Sequence, residues 1–241
     1  MRIRDKKIKA IIIGASSGIG CELAKILARN GYEVGLVARR IDLLLSLQKE
    51  IKGKTYLKQI DISNPSKAIP EIESLILEMG NIDLVVLNAG VGFINSELDW
   101  KKDKETIDVN VSGFCSIANV FMKNFLLKGK GHLVGISSIA ALRGSGVYSA
   151  SKAFVSNYLE GLRHKAVKEK KQIIVTDIKP GFVDTDMAKG KVFWMTPAKK
   201  CAELIYKVIQ KKKYHAYITS RWRLIAWLLK CMPRFIYDRL F

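Results

Sequence analysis

Tyr148 and Lys152 stand four residues apart in Tyr148-Ser149-Ala150-Ser151-Lys152, with Ser137 and Ser138 a short distance upstream. At that spacing both side chains share one helix face. A neighbouring ammonium favours the phenolate, so Tyr148, with an ordinary pKa of about 10, is expected to titrate lower and to exchange protons near neutral pH. Such pairs also arise by chance on helix surfaces, so the pair needs companions. One is the run Gly14-Ala15-Ser16-Ser17-Gly18-Ile19-Gly20, which follows the apolar stretch Ile8–Ile13 and precedes an amphipathic pattern. Strand, glycine loop and helix N-terminus together form a cradle for a pyrophosphate, with free N–H groups and the helix dipole facing the anion. The alternative is a tight turn that serves only helix packing. A P-loop is excluded because no Lys-Ser/Thr pair follows the last glycine.

The second apolar run ends at Ala38-Arg39-Arg40. An acidic residue there would accept from the ribose 2′-hydroxyl of NAD, whereas arginine accommodates the 2′-phosphate of NADP. Ala38 holds the acidic position with Arg39 beside it, so NADP is favoured over NAD. The alternative reading, a solvated strand end, applies above all to Arg40.

Seven short apolar runs alternate with helical patterns. Strands are expected at Ile8–Ile13, Val34–Ala38, Tyr56–Ile60, Leu84–Leu87, His132–Ile136, Ile173–Ile178 and Tyr214–Ile218. Their apolar character on both faces fits a parallel sheet covered on both sides. Helices are expected at Ile19–Arg29, Leu43–Ile51, Pro65–Met79, Lys101–Leu127, Tyr148–Lys170 and Pro197–Lys211. The alternation predicts an α/β fold with one doubly wound parallel sheet of Rossmann type, spanning residues 1–219. A basic, aromatic, helical extension would occupy 220–241.

The motifs in this order resemble the short-chain dehydrogenase/reductase family over about Lys7 to Met187. The markers are Gly14-x-x-x-Gly18-Ile19-Gly20, Asp61, Asn88-Ala89-Gly90, Asn110, Ser138, Tyr148-x-x-x-Lys152 and Pro180-Gly181-Phe182-Val183-Asp184-Thr185. The resemblance implies an NADP-dependent oxidoreductase moving hydride between nicotinamide and a carbonyl or alcohol. Tyr148 would exchange the proton, Ser138 would stabilise the substrate oxygen, and Lys152 would bind the nicotinamide ribose and tune Tyr148. Asn110 would hold a water linking Lys152 to solvent. Gly14, Ser16, Ser17, Gly18, Ile19 and Gly20 would cradle the phosphates, with Arg39 and Arg40 near the adenosine ribose. Asp61 and Ile62 would lie near the adenine, and Asn88, Ala89 and Gly90 would shape the cofactor floor. Pro180, Gly181, Val183 and Thr185 would border the nicotinamide. Ser138 and Tyr148 are only ten residues apart, closer than the resemblance leads one to expect, so the loop 141–146 at the pocket rim is shortened. Ser137 is the weaker candidate, since Ser138 leads the Ser-x-Ala-Ala stretch. Homo-oligomers are implied through the helices at Lys101–Leu127 and Tyr148–Lys170.

The composition narrows the partners. The chain has 241 residues, 41 Lys and Arg against 22 Asp and Glu, and a net charge of +19. Of that, +10 falls in residues 191–241 and +9 in the first 190. Four separated cysteines without a CxxC pair argue against a disulfide framework or cysteine zinc site and for a reducing cytoplasm. No signal peptide or spanning segment is expected. His132, His164 and His215 lack partners at metal-ligand spacing and read as structural or surface residues. Cys115 reads as a small buried residue. Phe182, Met187, Phe193 and Trp194 hint at an apolar substrate, with core packing the competing reading for the last two. In the tail, basic residues interleave with Trp222, Leu224, Trp227 and Phe235, a pattern suited to peripheral membrane contact. The competing reading is a helix that closes the substrate pocket or a subunit interface. No nucleic-acid motif is present. Two other functions remain: a 3-oxoacyl-thioester reductase docking an acidic carrier protein, and a membrane-associated dinucleotide-binding module without turnover.

Overall fold

A computed structural model of the chain describes residues 7–185 and 194–240. The elements run β1 (Lys9–Ile13), α1 (Gly18–Arg29), β2 (Glu33–Ala38), α2 (Ile41–Glu50), β3 (Thr55–Gln59), α3 (Pro65–Met79), β4 (Leu84–Leu87) and α4 (Trp100–Ile107). A π-helical turn, Asp108–Gly113, leads into α5 (Phe114–Lys128) and β5 (Lys130–Ile136). A 3-10 turn, Ile139–Leu142, precedes α6 (Val147–Lys168), β6 (Gln172–Pro180), β7 (Val183–Asp184) and β8 (Thr196–Pro197). The chain continues through α7 (Ala198–Gln210), β9 (His215–Ile218), α8 (Ser220–Cys231) and α9 (Arg234–Leu240).

Seven strands form one parallel sheet in the order β3-β2-β1-β4-β5-β6-β9. All seven expected strands are present, and the fold is the doubly wound α/β architecture read from the alternation. The period of two along β1 explains the two cores. Ile11 and Ile13 join Phe121, Phe125, Leu133 and Leu159 beneath α3, α5 and α6. Ala10 and Ile12 face the other way, toward Leu23, Leu27, Leu44 and Ile205 on α1, α2 and α7. Both faces of the inner strands are dry, so β1, β2 and β4 are buried along nearly their whole length.

The order of the sheet reverses beside β1, where β2 leads outward one way and β4 the other. Ligands bind at the carboxyl ends of strands flanking such a point. Asn64 accepts from the Lys67 N–H at the start of α3, and Pro65 occupies the first helical turn.

The expected helix Lys101–Leu127 is helical throughout, as α4, the π turn and α5, and Asn110 lies on the π turn. The expected helical extension divides into α8 and α9 at Pro233, which lacks the N–H that would continue α8. Among the described residues no helix is long and apolar enough to cross a membrane.

Candidate active site

The carboxyl ends of β1, β4, β5 and β6 bring most of the expected residues together. After β1 the chain turns through Gly14 at φ 88°, and the Gly14 and Ala15 N–H groups donate to Val37 O at 2.7 and 3.1 Å. A Cβ on Gly14 would lie 2.6 Å from Ala89 N, and one on Gly20 would lie 2.6 Å from Asn88 Nδ2. Asn88 Nδ2 donates to Gly14 O at 2.8 Å, which ties the loop to β4. Helix α1 begins without a side-chain cap and without an acid in its first turn, leaving its N-terminus positive. The residues therefore fit an anionic dinucleotide: the glycines draw the loop close against Asn88 and Ala89, and the uncapped, unneutralised end of α1 stands beside a cavity lined by Gly18 and Thr185.

Arg39 and Arg40, both expected near the adenosine ribose, take different neighbours. Arg40 lies on the loop, its guanidinium donating to Ser16 Oγ at 3.1 Å and Ser17 Oγ at 2.8 Å. Arg39 turns to Asp61 and Glu105, at 4.0 and 3.9 Å. Asp61 is exposed and accepts from Ser63 N, whereas Ile62 is buried in the core.

Helix α6 starts after Gly146, whose φ of 114° suits glycine. The first turns present Tyr148 and Lys152 on one face, and Lys152 Nζ lies 5.8 Å from the Tyr148 ring centroid. Lys152 is only 4% exposed and donates to Ile136 O at 3.1 Å. Burial lowers its pKa to about 8, while the charge of Asp177 opposes the shift. The expected lowering of the Tyr148 pKa does not occur. Burial raises it, and the hydrogen bond with Ser138 offsets this only in part. Desolvation is the larger influence on the phenol, and the Ser138 contact the smaller.

Ser138 Oγ accepts from Ala140 N at 3.1 Å and also meets the Tyr148 hydroxyl. Ser137 points away, donating to Ile178 O and to Asp177 Oδ1 inside the protein. Asn110, 1% exposed, accepts from Val91 N at 2.9 Å and donates to Val91 O and Ser151 Oγ at 2.8 and 3.0 Å. A Cβ on Gly90 would sit 3.0 Å from Lys152 Nζ and 3.2 Å from Asn110 Oδ1, so a larger residue would press on both the amine and the amide.

Thr185 Cγ2 would lie 2.9 Å from a Cβ on Gly18, which joins the segment after β6 to the glycine loop. Gly181 N donates to Ile218 O, and Val183 pairs with Thr196. Beside Gly18 and Thr185 opens a cavity of about 350 Å³. Phe182 and Trp194 both stand edge-on to Trp222 of α8, with ring centroids 5.6 and 6.5 Å apart. Met187 and Phe193 lie outside the described residues.

Sequence reading missed three contacts. Gly92 abuts the Tyr148 ring, where a Cβ would come within 2.6 Å; its nearness to Gly90 was the available signal. Trp222 packs its indole on Gly181, a contact with no local signature. Arg143, in the shortened loop, donates to Leu229 O at 2.8 Å and to Met232 O, at the C-terminal end of α8. His132 is buried, bonded to Thr176 Oγ1 at 2.8 Å, as a structural residue would be. Cys115 is half-buried on α5. Among the described residues no cluster of His, Cys, Asp and Glu could hold a metal.

A family model described as short chain dehydrogenase matches residues 8–195. An uncharacterised oxidoreductase of Myxococcus xanthus is 36% identical over 194 residues, covering 77% of this chain and 76% of that protein. A glycine betaine reductase of Emericella nidulans is 36% identical over 189 residues, 74% of this chain but 14% of that much longer protein. Among solved structures, an alcohol dehydrogenase of Thermococcus sibiricus complexed with 5-hydroxy-NADP is similar at TM-score 0.78 and 24% identity, over 88% of this chain and 96% of that one. A short-chain dehydrogenase/reductase of Burkholderia phymatum in complex with NAD is similar at TM-score 0.82 and 21% identity, over 92% of each.

Proposed function

The chain belongs to the short-chain dehydrogenase/reductase family and is an oxidoreductase of that type, and from this premise we propose that it reduces the carbonyl of an apolar substrate with NADPH. The observation that carries the reading is the convergence of Ser138, Tyr148 and Lys152 at the carboxyl end of the sheet. Bound reduced nicotinamide would supply the hydride. Ser138 and Tyr148 hold the carbonyl oxygen, and Tyr148 protonates it as charge builds. Burial keeps the phenol protonated at neutral pH, the state a reduction needs. Lys152, with a pKa of about 8, is poised to resupply the proton, and Asn110 fixes the backbone of Val91 beside it.

NADP rather than NAD is supported by Ala38 at the acidic position and by Arg40 on the two loop serines. An apolar substrate is supported by Phe182, Trp194 and Trp222 around Gly181. The same reading expects copies to pair through α5 and α6, where Phe154 and Tyr158 stack at 5.6 Å.

The test is NADPH oxidation, with NADH alongside, over aldehydes, ketones and 3-oxoacyl thioesters of rising apolarity. Turnover that increases with apolarity and prefers NADPH is expected. Silence across the set overturns the reaction, and equal or better use of NADH overturns the cofactor assignment.

A further inference from the structure

Helix α8 is apolar on two opposite faces. Trp222 and Ala226 are buried against the domain. Leu224, Trp227, Leu228 and Cys231, at i, i+3, i+4 and i+7, form a stripe on the other side. Leu224 is 63% exposed and Trp227 60%, and Phe235 of α9 adds a further exposed ring at 75%. The stripe takes no part in the core, which the inner face already serves. Arg221 and Arg223 flank it on opposite sides of the helix. Arg221 is held over the Trp194 ring and donates to Trp194 O at 3.0 Å. Neither arginine faces a carboxylate among the described residues.

We propose that this outer face of α8, with Phe235 of α9, docks the protein on an anionic phospholipid surface. Leucine and tryptophan would enter the boundary between headgroups and acyl chains, with the flanking arginines at the phosphates. Charge selects this occupant. The segment 191–241 carries +10, so a second copy seated on the same face would set arginines against arginines. A polyanion such as RNA would satisfy the arginines but leave the leucines and Trp227 without partners. Because Trp222 and Arg143 fasten α8 beside Gly181 and the loop after Ser138, the bilayer would stand next to the substrate side of the cleft. The docking does not depend on which reaction the site performs.

The experiment uses the full chain, sedimented with vesicles of phosphatidylcholine alone or with about one third phosphatidylserine. Binding to the anionic vesicles is expected, weakening as salt is raised. The double variant Leu224→Glu/Trp227→Glu should lower partitioning at least about tenfold, and Arg223→Glu should reduce binding to anionic vesicles alone. Unchanged thermal unfolding and unchanged vesicle-free turnover would show that the variants remain folded. The proposal is overturned if the protein stays in the supernatant, or if the double variant binds as well as the parent. Vesicle-free sedimentation velocity in which the double variant splits a dimer would instead assign the face to a second copy. An RNA shift lost in the same variant, without vesicle binding, would also overturn it.

Discussion

The glycine loop and the C-terminal helices are held to the same sheet by different means. At the loop, backbone meets backbone: Gly14, Gly20 and Ala89 approach so closely that single carbons would not fit. The last two helices are attached by side chains reaching across long stretches of sequence, chiefly Trp222 on Gly181 and Arg143 on the end of α8. Contact through backbone spreads over many atoms and leaves little to remove. Contact through a few large side chains is concentrated, so one truncation should release the attachment while the sheet remains intact.

Trp222→Ala provides the largest expected effect. Removing a buried tryptophan costs about 3–5 kcal/mol, and that loss should fall on the attachment of α8 and α9. Limited proteolysis is expected to cut between residues 219 and 233 while the remainder stays folded and binds cofactor. Cooperative melting of the whole chain would mean that the two regions are one unit.

Acid should act on the sheet instead. Burial holds His132 neutral, with its pKa lowered to about 4. The unfolded chain, with histidine near 6.5, takes up protons first, so stability is present above that value and is lost as pH falls from 6.5 to 4. The loss is at most about 3 kcal/mol. His132→Gln should flatten this part of the pH profile in chemical denaturation. A profile that keeps its slope would place the acid sensitivity elsewhere.

The third effect is smaller and local. Arg40→Ala should weaken NADPH binding about tenfold, a typical magnitude for losing one charge-assisted contact, with NADH binding unchanged. Fluorescence titration with both cofactors reads it. Equal losses for the two would make Arg40 a support for the loop rather than a reader of the 2′-phosphate.

Most of the sheet was legible in the sequence because runs such as Ile8–Ile13 and Leu84–Leu87 are short, rich in β-branched residues or leucine and followed by glycine or Asn-Ala-Gly, features that decide for strand where periodicity alone does not. The shared face of Tyr148 and Lys152 was legible from helix periodicity, and their roles only from the resemblance carried by the companion motifs. Their protonation was not. The order of the two pKa effects depends on where the ammonium lies relative to the phenol and how dry the site is, and neither is a local property. The division between Arg39 and Arg40 was likewise hidden, since Asp61 and Glu105 approach only once β3 and α4 are in place. Trp222 on Gly181 joins residues forty-one positions apart, and no spacing rule anticipates it.

The central claim is that Tyr148 protonates the substrate oxygen. It is tested most directly by Tyr148→Phe, with single-turnover NADPH oxidation measured beside the NADPH dissociation constant. A fall of about 10²–10⁴ in rate, at unchanged cofactor affinity, is predicted. A rate within about twofold of the parent would contradict the role given to Tyr148.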